Sequence, residues 1–491
     1  MSKEVLIEKG HVNIQDAKLF IDGEYVDALS GETFDTINPA TNEKLASVAN
    51  GNEADAKRAI EVAQRTFESG IWSKMPVEER SDILCKMSDL IMDKVEELSY
   101  VETIDVGKPI KESLGFDIPR AAQNFRFFAE MSKYMVHEHY EKHNFTSYAK
   151  YAPAGVTSLI IPWNLPFMQL TWKASAALAS GNTIVVKPAS YTPLSAVMLG
   201  EIANEAGLPP GVLNIITGPG GTVGTTMSKH PYVRRISFVG ESNTGKTVMR
   251  NASEHLIPVS LELGGKSANI VFEDADLDEA VKGSIEAIYR NQGEICLAGS
   301  RLLVQESIYD QFLEKFTNAA RQIKVGDPLD KQTDMGALVS KEHLETVDRY
   351  VQIGIEEGAK LAYGGKRVAG LEKGNFYEPT VLYDVDNKMR VAQEEIFGPV
   401  IVIIPFKTEE DAIRIANDSI YGLAGVVWTN DLRRAGRITS EVNAGLLWVN
   451  CWYIRDLRTP FGGSKASGIG REGGRHSFEF YTEAKTVTMK L

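Results

Sequence analysis

The sequence predicts an α/β protein with two domains, each built on a largely parallel sheet, and a small β arm. Three observations predict it. From about residue 150, short apolar runs alternate with helical stretches, the pattern of parallel strands joined by right-handed crossovers. A second series of the same kind begins near Leu261. Between the helical N-terminal part and the first series lies a stretch at 131–150 with alternating polar and aromatic residues (Tyr140, Phe145, Tyr148, then Tyr151), which reads as a hairpin leaving the body. The length of 491 residues agrees, at roughly 150 residues per domain.

Taken in order, 53–70 and 78–104 read as amphipathic helices, the second from Ile83, Leu84, Met87, Leu90, Ile91, Val95 and Leu98 at helical spacing. The run Gly155–Ile161 is a strand ending in Pro162-Trp-Asn-Leu-Pro166, followed by a helix through Ala174–Ala179 and the strand Thr183–Val186. A helix from Thr192 to about Ala206 stops at Gly207-Leu-Pro-Pro-Gly211. Val212–Ile216 and Arg235–Val239 are further strands, with a short helix near Val223–Ser228 between them. This βαβαβ order is that of a nucleotide-binding sheet. The second series comprises the strands Asn269–Phe272, Arg301–Val304, Val400–Ile404 and Leu446–Val449, with a helix through 276–291. The terminal Phe478–Leu491 is expected to pair with the hairpin in an oligomer.

Composition narrows the function classes. Apolar residues make up 43% and charged residues 24%, as in ordinary globular proteins and unlike disordered chains. Lys plus Arg number 53 against 66 Asp plus Glu, a net charge of −13, which argues against nucleic-acid or anionic-membrane binding over a broad surface. The longest apolar runs fall far short of the roughly 20 residues that span a bilayer. Met1–Gly10 alternates charges and has no apolar core, so no secretory signal is expected. Three scattered cysteines, Cys85, Cys296 and Cys451, make no disulfide framework and suit a reduced, cytoplasmic setting. His137, His139 and His143 cluster without the Cys or carboxylate companions of a zinc or iron site, so no metal is expected.

One motif points elsewhere. Gly240-Glu-Ser-Asn-Thr-Gly-Lys-Thr247 matches GxxxxGK[ST] after a strand and before a helix, the setting of a P-loop NTPase. Dinucleotide folds use the same phosphate-cradling turn, so this segment alone leaves both readings open.

Three segments carry chemistry. Asn291-Gln-Gly-Glu-Ile-Cys-Leu-Ala-Gly-Ser-Arg301 sets Cys296 just beyond a helix among small residues, as an accessible thiolate nucleophile needs; a buried structural cysteine is the alternative. Cys85 sits in an amphipathic helix and reads as structural, as does Cys451 after its strand. Leu261-Glu-Leu-Gly-Gly-Lys266 puts Glu262 at the end of an apolar strand, where a raised pKa suits a general base; a salt-bridged strand-end acid is the alternative. Asn164, at the end of a parallel strand, is a candidate oxyanion donor or simply a turn-forming residue before Pro166.

Together these segments resemble the aldehyde dehydrogenase superfamily over nearly the full length. The resemblance rests on Pro162-Trp-Asn-Leu-Pro166, Val186-Lys-Pro188, Phe238-Val-Gly240, Leu261–Lys266, the Cys296 segment, Glu394-Glu-Ile-Phe-Gly-Pro399 and Pro460-Phe-Gly-Gly463. Several motifs in order outweigh the single P-loop pattern, leaving the NTPase a remote alternative. The resemblance implies a Rossmann-type cofactor domain (1–130 and 151–262), an α/β catalytic domain (263–465) and an oligomerisation arm (131–150 and 466–491). It implies a homo-oligomer, dimer or tetramer. It also implies non-acylating oxidation of an aldehyde to an acid: Cys296 attacks to give a thiohemiacetal, Asn164 and the Cys296 backbone N–H hold the oxygen, hydride passes to a nicotinamide, and Glu262 activates water to hydrolyse the thioester. Lys173 matches a lysine thought to assist proton movement; a surface salt bridge is its alternative.

For the cofactor, the resemblance implies Ile160, Pro162, Trp163, Lys187, Ser190, Gly220, Phe238, Gly240, Glu241, Gly245, Leu263, Glu395 and Phe397. Two positions depart from the pattern. Ser190 stands where NAD-specific members usually carry a Glu that repels a 2′-phosphate, so use of NADP as well as NAD is expected. Glu241 stands where many relatives have Ser, putting a pyrophosphate contact in question. For the substrate, Phe116-Asp-Ile-Pro-Arg120, Ile454-Arg-Asp-Leu-Arg-Thr-Pro460 and the run Phe461–Gly474 resemble the branch acting on muconic semialdehydes. That resemblance implies a small-molecule aldehyde with a distal carboxylate held by a fork of Arg120 and Arg458, with Arg455, Trp172 and Phe461 nearby. Structural ion-pair arginines, and broad oxidation of aromatic or long-chain apolar aldehydes, are the alternatives.

Overall fold

The computed structural model describes residues 14–491; the reading of Met1–Gly10 lies outside them. The first sheet has eight strands in the order Glu24–Val26, Leu19–Ile21, Leu213–Ile215, Thr183–Lys187, Val156–Ile160, Val233–Val239, Val259–Glu262, Gly468–Ile469. Its five central strands are parallel, and antiparallel strands close both edges. Among the parallel strands the chain begins at Val156–Ile160, steps twice to one side, then returns to the other. Its direction therefore switches beside Ile160, where a dinucleotide-binding sheet opens its crevice. Val156–Ile160 and Thr183–Lys187 are buried throughout, as strands covered on both faces must be.

The second sheet has seven strands in the order Lys360–Tyr363, Thr380–Tyr383, Val400–Phe406, Arg301–Gln305, Ala268–Val271, Ala424–Trp428, Leu446–Val449, antiparallel only at its first pair. The arm is a three-stranded sheet in which Phe145–Pro153 lies between Glu138–Lys142 and Thr482–Lys490. The C-terminal strand thus pairs with the hairpin of its own chain. Of the expected 466–491 arm segment, only this strand joins the arm sheet. Gly468–Ile469 extends the first sheet, and the helix Gly474–Tyr481 buries Phe478 and Tyr481 in the core beneath it. Arg235 fastens the strand, donating to the carbonyls of Phe480 and Thr482 at 2.5 and 3.0 Å and pairing with Glu483 at 2.7 Å. His137 stacks on Tyr151, and His139 bonds the Thr146 hydroxyl at 2.7 Å.

Two helices differ from expectation. The 78–104 helix is two, Val77–Asp93 and Val95–Val106, because Lys94 leaves helical geometry at φ −99°, ψ 17°. The helix seen only at Ala174–Ala179 runs over Pro166–Ala179, with its proline at the first turn, where a missing N–H costs nothing. Before the helix Ile118–Ser132 comes one π-helical turn, Ser113–Asp117, a form frequent at functional sites. Buried Lys108 pairs there with Glu102 at 2.8 Å and Asp117 at 2.7 Å. Glu102 also accepts from Ser195 and from the Phe167 N–H, so one lysine joins the π turn to two core helices.

Removing one member of a buried ion cluster leaves charge without compensation. Lys108→Met is expected to lower unfolding free energy by about 4 kcal/mol, measured by urea denaturation. A loss under about 1 kcal/mol would mean the cluster does not hold this corner together.

Candidate active site

Cys296 follows the helix Leu277–Tyr289, where the chain turns out through two consecutive left-handed residues, Asn291 (φ 47°) and Gln292 (φ 56°). Such strain persists only where neighbours enforce it. Here Asn291 donates to the carbonyls of Asn164 and Glu294 at 3.1 and 3.2 Å, and Asn164 Nδ2 donates to the Glu294 carbonyl at 2.8 Å. Asn164 is thereby fixed against the segment that carries the thiol. In the buried run 291–299, Cys296 alone is partly exposed. Burial, reinforced by the charges of Glu395 and Glu262, pushes its thiol up to about 12.

Glu262 ends the strand Val259–Glu262, and among the described residues neither of its buried carboxylate oxygens has a hydrogen-bond partner. Burial pushes it up to about 8, against the pull of Lys173. A Cβ on Gly462 would stand 2.9 Å from its Oε1, so the glycine leaves the acid its space. Lys173 is buried and pairs with buried Glu472 at 2.5 Å, not with a surface acid. Glu472 also accepts from Trp172 Nε1 and from the Ser237 and Ser260 hydroxyls at 2.8, 3.0 and 2.9 Å. Burial alone would raise Glu472, but Lys173 and the two serines hold it below the ordinary glutamate value.

The first sheet's crevice collects the expected cofactor residues. Ile160 and Lys187 end neighbouring strands, and both border the point where a Gly224 Cβ would project. Lys187 Nζ, buried, reaches only the Pro188 carbonyl, at 2.9 Å, and burial lowers it to about 8. Ser190 donates to the Gly218 carbonyl at 3.0 Å, near Gly220. Gly240 packs on the Phe238 ring, Gly245 on Leu263, and Leu263 N–H bonds Ser467. Glu241 caps the next helix, accepting from Asn243 N–H at 3.2 Å. On the other side Trp163, after Pro162, packs edge-on against Phe397, and the Phe397 carbonyl bonds His343 at 2.7 Å. Glu395 accepts from Gly265 N–H at 2.9 Å, and a Cβ on Gly264 would fall 2.0 Å from its other oxygen. A buried ammonium bonded only to its neighbour's carbonyl, and a glycine-lined cradle running toward Cys296, fit a nicotinamide dinucleotide. Lys187 would hold the adenosine ribose, and Glu395 with Phe397 the nicotinamide end.

A cavity of about 300 Å³ lies beyond Cys296, lined by Phe116, Arg120, Met168, Glu286, Arg290, Trp452, Tyr453, Ile454 and Arg455. Trp452 Nε1 donates to the Leu297 carbonyl at 3.2 Å, tying this wall to the segment that carries Cys296. Arg455 lies 3.8 Å above the Phe461 ring and 4.3 Å from Trp172, with Nε and Nη2 buried and without hydrogen-bond partners among the described residues. The expected Arg120–Arg458 fork is not formed. Arg458 is exposed and clasped by Asp456 at 2.6 Å, so the cavity's guanidinium beside Arg120 is that of Arg455. Trp172 and Phe461 sandwich Arg455 instead of lining the cavity themselves.

The aldehyde dehydrogenase family model matches residues 25–487. The chain belongs to the aldehyde dehydrogenase family. It is 42% identical over 487 residues to the 2-hydroxymuconic semialdehyde dehydrogenase of Pseudomonas sp. (strain CF600), covering 97% of this chain and 100% of that one. It is 46% identical over 450 residues to the 5-carboxymethyl-2-hydroxymuconate semialdehyde dehydrogenase of Escherichia coli, 90% and 95% covered. The structure of indole-3-acetaldehyde dehydrogenase AldA of P. syringae, a cysteine-to-alanine variant with NAD+, superimposes with TM-score 0.97 at 42% identity over 100% of both chains.

This aldehyde dehydrogenase is an oxidoreductase, and the NTPase reading falls with the P-loop geometry. The helix begins at Ser242, so the N–H groups of residues beyond the first turn serve the helix, and Glu241 places a carboxylate at its N-terminus. A phosphate loop needs those N–H groups free. Sequence reasoning missed Glu472, Arg290 and His343. Glu472, an acid flanked by Arg471 and two glycines, was the one with a local signal.

Glu262, ionised above about 8, opposes the Cys296 thiolate. Glu262→Gln should therefore speed alkylation by iodoacetamide at pH 9, by roughly threefold or more, yet leave it unchanged at pH 6.5, where Glu262 is already neutral. Cys296→Ala supplies the background. Equal rates at pH 9 would show that the two groups do not interact.

Proposed function

We propose that this enzyme oxidises a semialdehyde bearing a distal carboxylate, of the muconic type, with either NAD or NADP. The observation that carries the substrate reading is the partly buried Arg455, which lines the cavity with Arg120 and two of whose guanidinium nitrogens have no hydrogen-bond partner among the described residues. A carboxylate supplies the acceptors those donors lack. The named activities of the two semialdehyde dehydrogenase relatives support it.

Cys296 gives its thiol proton to solvent and adds as the thiolate to the aldehyde carbon; the oxygen that becomes negative is held by Asn164 Nδ2 and the Cys296 N–H, and its charge collapses to the thioester carbonyl as hydride leaves the carbon. The nicotinamide cofactor, when bound, supplies the hydride acceptor. Glu262, in its ionised form, takes a proton from the water that cleaves the resulting thioester; burial pushes it up to about 8, so that form gains as pH rises through this value. Lys173 and Glu472 lie behind it as the route by which that proton departs. A half-buried hydroxyl at Ser190, close to Lys187, offers a 2′-phosphate no negative charge to meet. The arm is proposed to carry self-association into a homo-oligomer.

A panel tests both readings: matched aldehydes with and without a distal carboxylate, each with NAD and NADP, followed by cofactor absorbance with Cys296→Ala as the blank. The carboxylated aldehyde should have kcat/KM about tenfold or more above its uncharged match; parity would favour the apolar-aldehyde reading that Phe116, Met168 and Trp452 suit. NAD and NADP should differ by less than about a hundredfold; a larger NAD preference sinks dual use.

The arginine assignment has its own check. Arg455→Gln or Arg120→Gln should raise KM for the carboxylated aldehyde about tenfold while changing the uncharged one less than about threefold. Arg458→Gln should leave both unchanged. An Arg458 effect equal to that of Arg455 would restore the original fork.

A further inference from the structure

Three segments of the site meet on one imidazole that the proposed chemistry leaves unused. His343 is the third residue of the helix Lys341–Glu356, and its backbone N–H donates to the Ser340 hydroxyl that caps the helix, at 3.1 Å. Its ring lies edge-on to Trp163, 5.4 Å between centroids, and to Phe397 at 6.4 Å, while Trp163 and Phe397 meet each other at 5.2 Å. Nε2 stands 2.7 Å from the Phe397 carbonyl and 3.7 Å from the carboxylate of buried Glu294. Trp163 precedes Asn164, and Glu294 lies two residues before Cys296.

The hydrogen on this ring has a definite place. A carbonyl oxygen only accepts, so Nε2 carries the N–H of the 2.7 Å bond. Burial holds His343 below the ordinary histidine value, and the positive end of its helix also opposes a charged ring. Glu294 at 3.7 Å is beyond hydrogen-bond range and accepts from the Val339 N–H at 3.0 Å instead. Among the described residues, the Phe397 carbonyl is thus the one hydrogen-bond partner of the His343 side chain.

Phe397 is a residue that needs holding. Its φ of 58° lies in the left-handed region, which a bulky side chain rarely adopts, and such strain persists only where neighbours enforce it. The helix that carries His343 packs directly behind it: a Cβ on Gly398 would fall 2.6 Å from a Val347 methyl. Phe397 and Gly398 are therefore backed by Val347 and bonded by His343, from one helix.

We propose that His343 is a positioning residue for the cofactor: its ring N–H fixes the strained Phe397 backbone, and with it the phenyl ring against which the nicotinamide seats. This rests on Phe397 and Glu395 holding the nicotinamide end, and it names what sets that end in place.

The test uses the whole enzyme and measures, by calorimetry, binding of NAD+ and of AMP, which lacks the nicotinamide half, alongside kcat. His343→Leu keeps the bulk and removes the N–H. It should raise the Kd for NAD+ about fivefold or more while AMP stays within about twofold, and it should lower kcat about tenfold. His343→Gln, whose amide N–H takes the place of Nε2–H, should return NAD+ binding and kcat to within about threefold of wild type. Equal changes for NAD+ and AMP in His343→Leu, or His343→Gln no better than His343→Leu, would make His343 a packing residue and overturn the proposal. Phe397→Ala separates the two layers: it should weaken NAD+ and spare AMP. If it does so while His343→Leu leaves NAD+ binding unchanged, this inference alone fails. If Phe397→Ala leaves NAD+ binding unchanged, the placement of the nicotinamide at Phe397 fails with it.

Discussion

The carboxylate of Glu472 receives four donors from three directions: Lys173 and Trp172 from one helix, Ser237 from one strand and Ser260 from the next. An isolated buried carboxylate would be costly, and this one is tolerated because every donor is aimed at it. The consequences spread outward. Ser260 lies two residues before Glu262 on a single short strand, so fixing one sets the other. Trp172, held by its indole N–H, forms one face of the slot in which Arg455 lies. Phe461, the other face, exchanges backbone hydrogen bonds with Glu472 itself at 2.7 and 2.8 Å. The base and the cavity's buried cation are therefore both referenced to one carboxylate, and each is left with free polar atoms because its neighbours are already committed.

The electrostatics of the resting site follow from this. Burial keeps both Cys296 and Glu262 protonated near neutral pH, so the ligand-free enzyme holds a thiol and a carboxylic acid. Two adjacent anions in a low-dielectric pocket would repel strongly. A protonated thiol is also slow to oxidise, since the thiolate is the reactive form. Reaction then requires a change in surroundings, which the arrival of cationic or dipolar ligand groups beside Cys296 supplies. Glu395 and Glu262 are the charges acting against the thiolate.

How much of this was legible in the sequence depended on periodicity. The strands Val156–Ile160, Thr183–Lys187 and Arg301–Gln305 read correctly because burial on both faces of a parallel sheet makes them continuous apolar runs. Cys296 and Glu262 drew notice because each follows a helix or ends a strand beside small residues, and Asn164 because it follows a strand, between Trp163 and Leu165. The loop 450–455 was not. Asn450 and Tyr453 have positive φ, at 52° and 64°, and in such a segment spacing gives no information on where a side chain points. Arg455 and Arg458 therefore looked equivalent, yet one is buried in an aromatic slot and the other is clasped by Asp456 in solvent. The Gly240–Thr247 pattern misled for a related reason: the motif specifies residues, whereas phosphate binding depends on where the helix starts. Glu472 and Lys173 lie 299 residues apart, beyond any local pattern.

Net charge and local charge here oppose one another. The chain carries −13 overall, which on its own would repel an acidic substrate. Surface charges are screened within about 8 Å at physiological salt, so the distant acids contribute little inside a recessed cavity. On the proposed reading, Arg120 and Arg455 would act across a few ångströms in a cavity walled by aromatic rings, where screening is weak and the field is focused. On the same reading, the acidic surface would bear on solubility while the cavity would select the anion. Because the selecting field is short-ranged, discrimination should reside in the bound complex more than in the rate of encounter, and added salt should affect substrate capture less than the loss of any one of these guanidinium groups.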